Sequence, residues 1–168
     1  MASFKIGRDD IDAFLTGLTV FGTGGGGSPE WGRALLENDF QRGRSCEIVD
    51  VDDVPDDSYI CCTGIMGSVK VLDFMSVDEV VNGWENFFPM EKAVRMMEDL
   101  KGRKMTHLIP FEMGGLNTPV VMALCARMGI PMLNADGLGR SAPETQMTSF
   151  ASHGINLYPM PLVDHQGN

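Results

Sequence analysis

Four consecutive glycines, Gly24, Gly25, Gly26 and Gly27, run straight into Ser28-Pro29-Glu30 within the stretch FGTGGGGSPEWGRALLEN. Glycine leaves the backbone too free to continue a helix or strand, so any element before this run has to stop at it. The residues after it are punctuated for a new helix: Ser28 suits the N-cap, Pro29 the first helical position and Glu30 the first turn, and Gly43 is the stop. A loop of this kind has a chemical use as well as a structural one. Without Cβ atoms the main chain can approach a ligand closely, and the helix start offers unpaired N–H groups and positive dipole to an anion or a polarised oxygen. On the glycines alone, a loop that merely reverses the chain is an equal reading.

The rest of the chain alternates. DDIDAFLTGLTVF predicts a helix with Asp9 or Asp10 at its N-cap and Ile11, Phe14, Leu15 and Leu18 as its apolar stripe, with LTVF as a short strand before the glycines. CEIVDVDDV and SYICCTGIMGS read as strands, the second apolar enough to be buried on both faces. Helices are expected at MEKAVRMMEDLKG, ending at Gly102; at NTPVVMALCARMG, capped by Asn117 or Thr118 and closed by Gly129; and at PETQMTSFASHG. THLIPF, IPMLNAD and NLYPMPLVD supply further strands. Such alternation with short connections implies an α/β layered fold, a largely parallel or mixed sheet covered by helices, in a single domain over residues 1–168. LVDHQGN reads as a strand entering a turn, so the chain is expected to be a fragment of a longer protein, with part of its surface an interface with a further domain.

Composition narrows the function. A net charge of −10 over 168 residues opposes nucleic acid and anionic membrane as partners, which need clustered Lys and Arg. No apolar run approaches the roughly 20 residues of a membrane-spanning helix, and the acidic start lacks a signal peptide's apolar core, so a soluble cytoplasmic protein is expected. Cys46, Cys61, Cys62 and Cys125 lack metal-knuckle spacing and read as buried reduced thiols, with a catalytic thiol as the lesser alternative. His107, His153 and His165 fall on different elements without ligand spacing and read as structural or solvated, although the fold could set His153 beside Asp136 or Glu112. The methionines read as core packing. No metal is expected, and the cofactor is left unknown.

A second polar segment, PFEMGGLNTPVVMALCARMGIPMLNADGLGRSAPETQM, favours a site. Glu112 follows a strand and precedes Gly114-Gly115, Asp136 follows the next strand, and Glu144 opens the next helix with Gln146. In a parallel sheet these loops share the C-terminal edge of the strands, where α/β folds bind ligands. Glu112, between Phe111 and Met113, suits a general acid or base, because apolar surroundings raise a carboxyl's pKa. Asn117 suits either an N-cap or a donor to a substrate carbonyl. Asp136 before Gly137 and Gly139 suits a turn, Arg140 an anion clamp or a partner for Asp136, and Glu144 the dipole of a helix start. A competing reading takes Gly22, Gly24 and Gly27 as a G-x-G-x-x-G dinucleotide loop with Asp50 on the ribose.

GTGGGGSPEWGRALL, IPFEMGGLNTPVVMALCARMGIPMLNADGLGRSAPETQMTSF and HGINLYPMPLVDHQGN together resemble the N-terminal domain of the S-methyl thiohydantoin desulfurase family, which is associated with hydantoinases and oxoprolinases. The resemblance implies a hydrolase that removes methanethiol from an S-methylated thiohydantoin, a small-molecule substrate, with a C-terminal domain beyond this one. The residues read above fit such chemistry, with Glu112 as base, the Gly24 to Gly27 amides and the helix start at Ser28 on the oxyanion or ring oxygen, and Asn117 and Asp136 on the ring N–H and carbonyl. Gly114, Gly115, Arg140 and Glu144 would contribute further substrate contacts. A Cys61 or Cys62 nucleophile is the alternative mechanism. A nucleotide-binding module, or a non-catalytic subunit assembling with its own copy or with a hydantoinase-type partner, are the alternative functions.

Overall fold

The computed structural model describes residues 3–67, 70 and 74–168. Ser68, at the end of the expected SYICCTGIMGS strand, lies outside the described residues.

Among the described residues five strands form one mixed sheet: β1 (Ser3–Phe4), β2 (Ile48–Val49), β3 (Ile60–Thr63), β4 (His107–Pro110) and β5 (Met132–Leu133), in the spatial order β1-β2-β5-β4-β3. β1 runs antiparallel to β2, and every other pairing is parallel. Among the described residues six α-helices accompany them: α1 (Ile11–Gly22), α2 (Pro29–Gln41), α3 (Val77–Asn86), α4 (Pro89–Lys101), α5 (Asn117–Met128) and the single turn α6 (Ser149–Ser152). The layered α/β expectation holds. Among the described residues no helix is long and apolar enough to cross a membrane.

Strand alternation divides the core unequally. Ile48, Leu108 and Met132 point into a large cluster with Leu15 of α1, Leu35 of α2, Val81 of α3, Val94 of α4 and nearly all of α5. Their neighbours Val49, Ile109 and Leu133 point the other way, into a small cluster closed by Val54, Ala135 and Phe150. The long helices therefore sit on one face and a thin loop layer on the other. α5 occupies the centre, with Asn117 through Cys125 all buried, which explains why its apolar residues surround the helix instead of forming a stripe.

This asymmetry corrects the reading of β3. Cys61 packs against the large cluster, but Ile60, on the other face, is 42% exposed and Cys62 is exposed too, because β3 is an edge strand beyond the reach of the thin layer. An apolar run alone does not separate such a strand from one buried on both sides.

Other boundaries obey local punctuation. Ser28 caps α2 by accepting from the Glu30 amide at 3.2 Å, and Gly102 and Gly129 end α4 and α5 in the left-handed region. α3 is an addition to the sequence reading, although its signature is present: Ser76 accepts from the Glu79 amide at 3.4 Å, a Ser-x-x-Glu helix start. LTVF is not a strand but the last turn of α1. The helix expected at PETQMTSFASHG is only a 3-10 turn, Thr145–Met147, followed by α6. Thr148 Oγ1 bonds back to Thr145 O, and Ser149 donates its N–H and Oγ to Gly137 O, so side-chain and loop bonds displace the helical ladder. The last expected strand, NLYPMPLVD, stays outside the sheet, with Tyr158 and Leu162 each 76% exposed; Pro159 and Pro161 lack the N–H that a ladder requires.

Buried carboxylates with ionic partners anchor the helices on the face of the large cluster. Arg127 of α5, with a side chain only 9% exposed, reaches Asp39 of α2 at 2.9 Å and Glu85 of α3 at 2.7 Å, and its guanidinium lies 4.7 Å from the Phe88 ring centre. Arg44 bonds the same two carboxylates. Glu98 of α4 accepts from Lys104 at 2.7 Å and from the Met105 amide at 3.0 Å, which secures the chain entering β4. Burial alone would raise both glutamates, but Arg44, Asn38 and Arg127 bring Glu85 down to about 2, and Lys104, Met105 and Arg95 do the same for Glu98. Burial moves Asp39 the opposite way, upward, against its two arginines. The depressed pair therefore stabilises the fold fully above the ordinary value of 4.5, and that contribution disappears as pH falls through about 2. Thermal melts should show the midpoint dropping across this window; a midpoint constant through it would refute the assignment.

Candidate functional site

Parallel pairing brings the loops after β3, β4 and β5 to one edge, and hydrogen bonds lace them together: Phe111 N–H donates to Thr63 O at 2.8 Å, and Gly137 N–H to Phe111 O at 3.2 Å. Glu112 sits in the middle loop and is 7% exposed. Its carboxylate is not left bare among apolar groups. Oε1 accepts from Asn117 Nδ2 and Oε2 accepts from the Ala142 amide.

Asn117 is the joint of this cluster. Its Oδ1 accepts from Ile65 N–H at 2.6 Å, and its Nδ2 donates to Ile65 O at 3.1 Å as well as to Glu112. Both amide protons are thereby engaged within the protein. The helix-cap role read for Asn117 falls instead to Leu116, and Asn117 is the first residue of α5 itself. The opening amides of α5, Leu116 and Asn117, donate to Gly26 O at 3.0 and 3.1 Å. The glycine loop thus caps the helix that carries Asn117.

That capping explains why two glycine motifs occur. A Cβ on Gly114 would lie 2.3 Å from the Gly26 Cα, and one on Gly115 would lie 2.7 Å from Pro29 N, so the two loops touch backbone to backbone. Gly26 and Gly27, with Gly114 and Gly115, are thereby packed around the start of the helix that carries Asn117, whereas an added Cβ on Gly25 would meet Ser141 and one on Gly24 would meet nothing within 4 Å. Among the described residues the other expected site residues make no hydrogen bond to Glu112 or Asn117; their bonds are local. Asp136 is the turn former: its carboxylate accepts from Leu138 N at 3.2 Å and Gly139 N at 2.9 Å. Arg140 donates to Ser141 O at 2.7 Å, not to Asp136. Glu144, expected in a helix's first turn, is extended and exposed, with Gln146 as its partner. His107 is buried on β4 beside Thr106, where burial lowers its pKa, while His153 is exposed.

The dinucleotide loop requires a strand before its glycines, and here α1 precedes them; Asp50 accepts from Asn134 at 2.8 Å on the loop after β2. A cavity of about 320 Å³ lies away from Glu112, between α1 and α2, lined by Asp12, Thr16, Thr19, Glu30 and Arg33. Its one cation, Arg33, is already paired with Asp12.

The thiols are poorly suited to nucleophilic work. Burial, then Glu98, pushes Cys61 up to about 11, and desolvation, then Cys61 and Asp136, also moves Cys62 upward although it reaches the surface. Iodoacetamide should alkylate Cys62 more slowly than free cysteine at pH 8, with the rate still climbing above pH 9; rapid alkylation at pH 7 would reinstate the thiol alternative.

Ile65, Ser141 and Ala142 join the site although none of them is among the site residues expected from the sequence. The contacts made by Ile65 and Ala142 are main-chain, so no side-chain pattern announces them.

Comparison with known proteins agrees with this architecture. An X-ray crystal structure of a protein from Chromobacterium violaceum, solved as a structural-genomics target, superposes with a TM-score of 0.71 at 26% identity, over 90% of this chain. The chain spans 40% of the length of that relative. No curated protein matches. The family model described as S-Me-THD-like, N-terminal domain, matches residues 9–168, from the start of α1 through both glycine motifs and the Glu112 loop, and the chain belongs to that family.

Proposed function

We propose that this chain is the N-terminal part of a hydrolase acting on a hydantoin-like ring, in which water replaces the S-methyl group of an S-methyl thiohydantoin and gives the hydantoin and methanethiol. The supporting observation is Glu112: a buried carboxylate on the ligand-binding edge of a parallel sheet, held beside a glycine loop by two hydrogen bonds. Attack at the ring carbon forms a C–O bond and breaks the C–S bond. Glu112 takes a proton from the water, and a proton is returned to the departing methanethiolate. Within the Gly24 to Gly27 loop the Gly24, Gly26 and Gly27 amides, with the α2 start at Ser28, stabilise negative charge developing on the ring, the Gly25 amide being turned to Gly22 O at 2.8 Å. Asp136 retains lone pairs for a ring N–H, and Gly114, Gly115, Arg140 and Glu144 border the approach.

The test is methanethiol release from an S-methyl thiohydantoin by the full-length protein, with and without a chelator. Release supports the reading, and survival under chelation supports acid–base chemistry on protein groups. No release from active-fold protein would refute the substrate assignment.

A further inference from the structure

The two oxygens of Glu112 are held differently. Oε1 is bonded by Asn117, a side chain 7% exposed on the most buried helix and itself fixed by two bonds to Ile65. Oε2 is bonded by the main-chain N–H of Ala142, in a loop without regular structure. From Leu138 to Ala142 this loop is part-exposed, it turns at Gly139 with φ +76°, and Asp136 organises its base through the Leu138 and Gly139 amides. Its tip also touches the glycine run: an ideal Cβ on Gly25 would lie 2.8 Å from Ser141 Cβ.

We infer that Ser141–Ala142 is a displaceable latch on Glu112: Asn117 holds Oε1 permanently, while the Ala142 N–H fills Oε2 until a ligand bearing its own N–H or O–H donor takes its place. This rests on the reading of Glu112 as the working carboxylate, and it specifies the ligand class as one that presents a donor to a carboxylate, as a ring amide or ureide N–H does. An acceptor-only ligand would leave Oε2 unpaired on displacing Ala142, which is unfavourable for a buried charged group. Asn117 acts on the ligand only through Glu112 and is a positioning residue.

The latch can be locked. Gly25 is the one glycine of the run whose φ is not positive, so it accepts a side chain without backbone strain, and a Gly25→Cys/Ser141→Cys pair needs the loop to yield only about 1 Å to reach disulfide spacing. In a Cys62→Ser background, carbodiimide with an amine nucleophile labels accessible carboxylates, read residue by residue by mass spectrometry. Glu112 labelling should fall by about tenfold in the oxidised protein relative to the same protein reduced, with exposed Glu30 and Glu144 labelling equally in both. Equal Glu112 labelling in the two states overturns the latch. Ala142→Pro, which removes the N–H, provides the converse: labelling should rise above wild type, and unchanged labelling also overturns it. Because labelling needs no substrate, absence of methanethiol release alongside a redox-dependent label refutes the hydrolase reading and leaves the latch standing.

Discussion

Glu112→Gln should lower methanethiol release by about 10²- to 10⁴-fold, the range a positioned general base contributes. The substitution preserves shape but not hydrogen-bond logic. Both partners of the carboxylate are donors, Asn117 Nδ2 and the Ala142 amide. A glutamine offers one oxygen and one NH₂, so whichever way it turns, one donor meets another, at a cost of about 1–3 kcal/mol. The Ala142 side is a loop and the Asn117 side a buried helix, so the loop should give way while the sheet and α5 remain. The measurement pairs turnover with a thermal melt. A large fall in turnover with a modest fall in midpoint supports the base role, whereas near-normal turnover removes Glu112 from it. Glu112→Asp is the companion variant, because it keeps the charge but withdraws it by one methylene from both donors.

Arg127→Leu should produce a large loss of stability. Arg127 joins α5 to Asp39 and Glu85 and covers the Phe88 ring, with its side chain 9% exposed. Leucine fills part of the volume but leaves two carboxylates in a poorly solvated position with fewer cations. Breaking a buried pair by removing one partner costs about 3–5 kcal/mol. For a domain of this size that is a midpoint drop of about 6–20 °C, a large share of a typical total stability. Arg127→Lys keeps the charge but not the fork that reaches both acids at once, so it should fall between the two. A midpoint within about two degrees of wild type for Arg127→Leu would show that Arg44, with Arg42 and Asn38 at Glu85, satisfies both carboxylates without Arg127.

Elements marked by local chemistry are legible in the chain itself. Ser28-Pro29 starts α2, Gly102 and Gly129 end α4 and α5, and the Ile11, Leu15, Leu18 spacing buries one side of α1. Each depends on residues within a turn or two of one another. α3 carries the same kind of mark in Ser76 and Glu79, although the expected helices do not include it. The elements that differ from expectation depend on neighbours. β3 is apolar but lies at an edge, LTVF continues a helix into the glycines, and NLYPMPLVD finds no strand beside it.

The candidate site divides along the same line. Short windows of sequence are enough to specify the alternating α/β layers and to single out Glu112, Asn117 and the two glycine motifs, because glycine runs and a carboxylate among apolar residues are local features. What those residues face is a matter of packing across the fold. Glu112 meets an amide 30 residues later, and Asn117 is pinned by a main chain 52 residues earlier. Gly114 is a glycine because Gly26 lies against it. Main-chain donors and close backbone approaches belong to no particular side chain, so they exist only once the sheet has brought its loops to one edge.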